Sequence, residues 1–190
     1  MTKARQHGLS LIELMITVAV IVTLAVAGGP PLADTLRNNR LTAHSNELNA
    51  GLTRARGEAV ARRSWVSLCS STDASNCRTS SQGLWEGGWI VFVDTNGNGA
   101  RASTELLVGS ARALPAGMTL RTTGFANAGF VRLDARGQAD SAGTFILCDA
   151  RGATRARTLG VNALGKVVRP VDTNGNGTPQ VLSGGDATCP

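Results

Sequence analysis

The sequence predicts an α+β fold. A long N-terminal helix, one half apolar enough for a membrane and the other amphipathic, packs on a mainly antiparallel β domain. Three observations predict this. An almost unbroken apolar run extends from Leu9 to Ala27. Apolar residues then recur mostly at steps of three or four as far as Ala59. From Trp65 the pattern changes to short runs of β-branched and aromatic residues separated by Gly, Asn and Asp. The chain has 190 residues, enough for one membrane helix and one small domain.

Residues 1–8 form a short basic leader, with Lys3, Arg5 and His7, ending at Gly8. Residues 9–29 follow as the transmembrane helix. About twenty apolar residues rising roughly 1.5 Å each span a bilayer core. An ordinary signal peptide has a shorter apolar core of roughly 7 to 15 residues and a small-residue cleavage site after it. Here the run is longer, carries Glu13 near its start, and is followed by Gly28-Gly29-Pro30-Pro31. A carboxylate in the bilayer core costs at least about 2.5 kcal/mol, which marks Glu13 as a functional candidate. The basic leader keeps the N-terminus cytoplasmic by the positive-inside rule. The remainder is then expected across the inner membrane, in the periplasm.

The Gly28–Pro31 stretch is expected to interrupt the helix, because proline removes a hydrogen bond and bends the axis. Residues 30–64 form the amphipathic helix. Leu32, Leu36, Leu41, Leu48, Leu52, Ala55 and Ala59 lie largely on one face, with Arg37, Arg40, Glu47, Arg54, Glu58 and Arg62 mostly elsewhere. Gly51 and Gly57 weaken it by roughly 1 kcal/mol each relative to Ala.

Residues 65–170 form the β domain. Strands are expected around Trp65–Cys69, Gly88–Asp94, Leu106–Val108, Met118–Arg121, Phe130–Leu133, Gly143–Leu147, Thr158–Val161 and Lys166–Arg169. Residues 171–190, rich in Gly, Asn and Thr, form a tail. The four cysteines, Cys69, Cys77, Cys148 and Cys189, suit an oxidising compartment. They allow three connectivities. Cys69–Cys77, closing a short loop, and Cys148–Cys189, tying the tail to a strand, are favoured. Zinc is the competing use, but no C-x-x-C pair exists and His7 and His44 lie far away in sequence.

The stretch Gly8-Leu9-Ser10-Leu11-Ile12-Glu13-Leu14 resembles the N-terminus of type IV pilins and type II secretion pseudopilins. The resemblance implies cleavage after Gly8 by a prepilin peptidase and N-methylation of the new first residue. That residue is usually Phe and here is Leu9. It also implies that Glu13, fifth in the mature chain, pairs with the N-terminal amine of a neighbouring subunit. Removal of the leader would lower the net charge from +6 to +4. Asn39-Arg40-Leu41, Asn46-Glu47-Leu48, Ala55–Val60, Leu68-Cys69 and Gly87–Asp94 resemble the FimT/GspH group of minor pilins and pseudopilins. So does Thr154–Arg157 taken with Gly165–Arg169. The implied fold is pilin-like, and the implied partners are other pilins or pseudopilins, the prepilin peptidase and the inner membrane.

Two further constellations carry chemistry. Asp94, Asn96, Asn98 and Glu105 satisfy the pattern of a calcium loop, but strands flank it and a hairpin turn is the better reading. The hexapeptide recurs at residues 172–177, where Ser183 stands in place of the final acid. Arg151, Arg155, Arg157, Lys166 and Arg169 form a basic set. A hairpin turning at Leu164-Gly165 would gather most of it into an electrostatic footprint for a phosphate backbone. Some FimT-like pilins bind DNA through a C-terminal Gly-Arg-x-Arg motif; the nearest match here, Gly165-Lys166-Val167-Val168-Arg169, departs from it. Double-stranded DNA is therefore a candidate partner, and a solvated strand face with no ligand is the alternative. Trp65, Trp85 and Trp89 are expected in the core or in loop packing. No catalytic constellation and no cofactor motif is visible, so the expected role is assembly, not catalysis.

Overall fold

The structure is a computed structural model, and it describes residues 10–79 and 82–190; the side chains of residues 25–31 are outside that description. Gly8 and Leu9 therefore lie outside the described residues. The chain forms two compact units, Met1–Arg40 and Leu41–Pro190.

Helix α1 runs from Leu11 to Arg62 without a break. The interruption expected at Gly28–Pro31 does not occur: the backbone stays helical there, although Pro30 and Pro31 can donate no amide hydrogen to the preceding turn. Ser10 caps the helix: its hydroxyl accepts the Glu13 N–H at 3.3 Å. At the other end Arg63 adopts a left-handed conformation, φ 51°. The Ser64 N–H then reaches the Ala59 carbonyl and the Arg63 N–H the Val60 carbonyl. This double bond pattern closes a helix C-terminus, usually with glycine where Arg63 stands.

In the first unit the side chains of Leu11, Ile12, Leu14, Met15, Ile16, Val18, Val20, Ile21, Val22 and Leu24 are all exposed. Leu32 and Leu36, expected on the packing face, are exposed as well. Among the described residues no helix is long and apolar enough to cross a membrane.

Among the described residues of the second unit eight strands form two antiparallel sheets. They are β1 (Val66–Ser70), β2 (Trp89–Val93), β3 (Leu107–Ala111), β4 (Thr119–Thr123), β5 (Phe130–Leu133), β6 (Gly143–Cys148), β7 (Arg157–Val161) and β8 (Val167–Val168). The first sheet has the order β3-β2-β1-β5 and the second β4-β6-β7-β8. Strand side chains alternate between faces, so each sheet has an inner and an outer set. Val66, Leu68, Val91, Val131, Leu133, Phe145, Leu147, Leu159 and Val161 point inward and pack with Leu41, Leu48, Leu52, Ala55 and Ala59 of α1. Trp89 lies against the helix at Gly51. Trp85 is buried, donates its indole N–H to the Ala128 carbonyl at 2.8 Å, and meets Phe145 edge-on.

Both outer faces are covered by irregular segments tied down by disulfides. Sulfur–sulfur bonds join Cys69 to Cys77 and Cys148 to Cys189. Over the first sheet, Cys69, Cys77, Ile90, Phe92 and Phe130 form a small apolar cluster. Over the second, Val181 and Ala187 of the tail pack with Ile146, Cys148 and Ala156. Leu182 occupies the space that a side chain at residue 160 would need, so Gly160 is a socket for the tail.

Candidate functional site

The basic set is spread over several places. Arg151 is bound to Asp149 at 2.7 Å and is largely buried, so it belongs to a local ion pair and not to the exposed edge. Arg155 is exposed at the end of a short 3₁₀ turn, Ala153–Arg155. The remaining three lie on the β7–β8 hairpin, Arg157 and Arg169 toward its open end and Lys166 beside its turn. Gly160 pairs with Val168 and Val161 with Val167, and the Asn162 side-chain carbonyl takes the N–H groups of Leu164 and Lys166 in the turn. Gly165 makes this turn possible. Its φ is 67°, and an added Cβ would stand 2.0 Å from the Gly137 carbonyl oxygen, a contact no side chain could make.

Two recesses follow the flank of α1 beside this hairpin. One, of about 280 Å³, is walled by Thr42, Ser45, Asn46, Arg157, Thr158 and Arg169. The other, of about 210 Å³, is walled by Asn49, Thr53, Arg56, Gly165, Lys166 and Val167. Arg169 donates to the Asn46 side-chain carbonyl at 2.8 Å, and Arg56 to the Gly137 carbonyl at 3.1 Å. Arg155, Arg157 and Lys166 make no side-chain hydrogen bond or ion pair among the described residues. The helix contribution, Thr42, Ser45, Asn46 and Arg56, was not anticipated. In sequence these are merely polar positions beside Leu41, Leu48 and Leu52; only the packing of the sheet onto α1 sets them against Arg157 and Lys166.

The Asp94–Glu105 loop joins β2 to β3, and its acids are turned inward. Asp94 is fully buried. Its Oδ1 accepts the Asn98 N–H at 3.0 Å, and its Oδ2 the Gly99 N–H at 2.8 Å and the Ser67 hydroxyl at 2.6 Å. Glu105 Oε1 accepts from the Thr95 N–H at 2.8 Å and its hydroxyl at 3.0 Å, and Oε2 from the Ala102 N–H at 2.9 Å. Every carboxylate oxygen of the calcium pattern is thus already an acceptor within the hairpin. Asn96 and Asn98 likewise accept backbone N–H groups with their side-chain carbonyls. Among the described residues no three of His, Cys, Asp and Glu gather as a metal-binding group. In the second copy Asp172 accepts from Gly175 and Gly177. There Asp186, three residues beyond Ser183, receives the side-chain amides of Asn174 and Asn176.

Trp65 is the one tryptophan with a sizeable exposed surface, and the Arg132 guanidinium lies 4.8 Å from its ring centre. Glu13 is exposed in the first turn of α1.

Comparison with known proteins places these features. A model of the family described as type II transport protein GspH matches residues 44–165. A model of the prokaryotic N-terminal methylation motif matches residues 3–29. No curated protein matches the chain. Two crystal forms of the type IV minor pilin FimU from Pseudomonas aeruginosa PAO1 share the fold. One is 24% identical with TM-score 0.54, covering 70% of this chain and 90% of that one. The other is 21% identical with TM-score 0.50, covering 67% and 90%. The minor pseudopilin EpsH of the Vibrio cholerae type 2 secretion system is 10% identical with TM-score 0.46, covering 68% and 95%. With its methylation motif followed by a matched domain that spans most of α1's second half and strands β1 to β7, the chain belongs to the GspH family of pilin-like proteins.

Proposed function

We propose that the protein is a minor subunit of a type IV pilus or a type II secretion pseudopilus, made as a precursor and held in the inner membrane until it joins a filament tip or priming complex. The observation that carries this reading is one chain bearing the methylation motif and the GspH domain in that order. Prepilin peptidase cuts after Gly8, and Leu9 becomes the methylated N-terminus. The apolar run from Leu9 to Ala27 is the anchor, with the second unit on the periplasmic side. In the filament the exposed apolar side chains Leu11–Leu24 pack among neighbouring helices. Glu13 neutralises an adjacent N-terminal amine in that low-dielectric bundle, where such a pair sets register. The role is assembly; no step of chemistry is assigned to the chain itself. In cells with the peptidase, intact mass should correspond to a chain beginning at Leu9 with one added methyl group. Glu13→Ala should still be cut but should no longer co-purify with its partner pilins, while the melting temperature of the second unit is unchanged. Normal co-assembly of that variant would show the register role to be wrong.

A second reading is favoured by the recesses along α1. Arg157, Arg169 and Lys166 line one helix flank with hydroxyl and amide groups between them, an arrangement suited to the backbone of double-stranded DNA during uptake. The alternative is a pseudopilin that serves protein secretion alone. Duplex binding by the full chain, lost steeply with rising salt, supports the DNA reading; no binding at low salt leaves the secretion subunit.

A further inference from the structure

The two sheets end in β3, β5, β4 and β8, and among the described residues only one of these edges is left open along its length. Beyond β4, Leu84 bridges to Arg121 and the Trp85 N–H bonds the Leu120 carbonyl. Beyond β5, Ala139 bridges to Leu133 and the Asp140 N–H bonds the Arg132 carbonyl. β8 is only two residues long, and Pro170 follows shortly after it. Nothing bonds the far side of β3 among the described residues. Its register fixes which groups are free there. Strand residues bond alternately to one neighbour and the other. On β2 the Asp94 N–H bonds the Trp65 carbonyl, and the Gly88 carbonyl accepts the Ser71 N–H, so Phe92 and Ile90 also turn toward β1. Leu107 and Ser110, which stand opposite them on β3, therefore turn their N–H and C=O groups away from the sheet. Val108 is the extra residue of a bulge between them. A bulge twists an edge, so any strand added here is a short one.

The side chains around this edge say what it suits. Leu106 and Leu107 are 51% and 36% exposed. Three guanidinium groups flank the strand. Arg54 of α1 reaches its middle, with Nη1 3.6 Å from where a Cβ on Gly109 would stand. Arg112 follows β3, and Arg101 lies before it, donating only to the carbonyls of Ser75 and Glu105. None of the three is paired with a carboxylate among the described residues. The acids close by in sequence are engaged elsewhere: Glu105 within its own loop, Glu58 with Arg62 and Glu86 with Arg121.

We propose that β3 is a docking edge that takes an extended, acidic segment of another chain as an added strand. The open groups of Leu107 and Ser110 supply ladder bonds, as in strand addition generally. Leu106 and Leu107 meet an apolar side chain of the segment, and its carboxylates meet Arg54, Arg101 and Arg112. Pairing β3 with β3 of a second copy would set these cations against one another, which is destabilising, so the partner is a different chain. The inference stands apart from both the filament reading and the DNA reading.

The test uses the full chain in detergent and a labelled peptide of alternating Val and Glu, followed by anisotropy. The peptide should bind about tenfold more tightly than its counterpart with Lys for Glu. N-methylation of two successive central amides, which blocks both edges of the peptide, should abolish binding. Ser110→Pro removes an open-side N–H and leaves the groups facing β2 in place; it should weaken binding about fivefold. Arg54→Gln should weaken binding and flatten its salt dependence. If Ser110→Pro lowers the melting temperature, the methylated peptide decides the same point. Equal affinity for the Glu and Lys peptides overturns the acidic partner. Binding that survives N-methylation overturns strand addition. No binding at millimolar peptide overturns both. A dimer of the chain that Ser110→Pro dissolves assigns the edge to a second copy and overturns the proposal.

Discussion

Gly51 and Gly57 read alike in the sequence, as two weak points in one helix, yet their surroundings differ. A Cβ at Gly51 would lie 2.3 Å from the Trp89 ring, whereas at Gly57 nothing lies within 4 Å. Trp89 fills the notch that the missing side chain leaves, so Gly51 is a packing position and its poor helix propensity is offset by burial of the indole. Gly51→Ala should destabilise the domain by about 1–3 kcal/mol through overpacking. Gly57→Ala should stabilise it by up to about 1 kcal/mol through helix propensity. Urea unfolding of the two variants measures the opposite signs. Ser45 carries a similar lesson. Its place in the step pattern of Leu41, Leu48 and Leu52 is visible in the sequence, but its position in the wall of a recess with Arg157 and Arg169 depends on what the sheet brings beside it.

Elements were far more legible than their arrangement. All eight strands lie within two or three residues of the expected runs, because the alternation of apolar side chains and the Gly/Asn/Asp turns between them are local signals. The division into two sheets was not legible. β1 pairs with β5 across more than sixty residues of chain, and no periodicity encodes a partner that distant. The helix was expected to break at Gly28–Pro31 from the local cost of proline, but α1 continues through. The Asp94–Glu105 hairpin shows the same limit. Its pattern matches a calcium loop, and only the inward turn of both acids shows them holding the loop's own N–H groups. This element should respond to acid. Burial raises the Glu105 pKa, but hydrogen bonds from Ala102, Thr95 and Asn96 outweigh it and hold the group below its ordinary 4.5. The stabilisation is therefore complete above about pH 4.5 and is lost as pH falls through the lower folded-state value. Glu105→Gln should cost stability at pH 7, and the gap to the native chain should narrow as pH drops below 4.5, as read by denaturant unfolding.

On the scale of the whole molecule, α1 supplies one wall of the core and the two sheets the other, while each sheet's far side is closed by a covalently pinned segment. The two bonds are unequal. Cys69–Cys77 spans 8 residues and Cys148–Cys189 spans 41. Chain entropy assigns about 2.5 kcal/mol to the short loop and about 4 kcal/mol to the long one. Replacing Cys148 and Cys189 by Ala should thus lower the melting temperature more than replacing Cys69 and Cys77, by calorimetry under oxidising conditions. The candidate site was half legible at this scale. Arg157, Lys166 and Arg169 were visible as a basic set around one turn, whereas the helix half of the recess and the withdrawal of Arg151 into a pair with Asp149 depend on tertiary placement. The two pinned covers have a further consequence, for descent rather than stability. Each is pinned by a disulfide, and among the described residues its irregular backbone supplies no strand to either sheet. Such segments can lengthen, shorten or change composition over evolutionary time without disturbing the ladder beneath them. A cover of another length or composition can therefore be grafted onto this frame, and the strand pairing beneath it should stay in place.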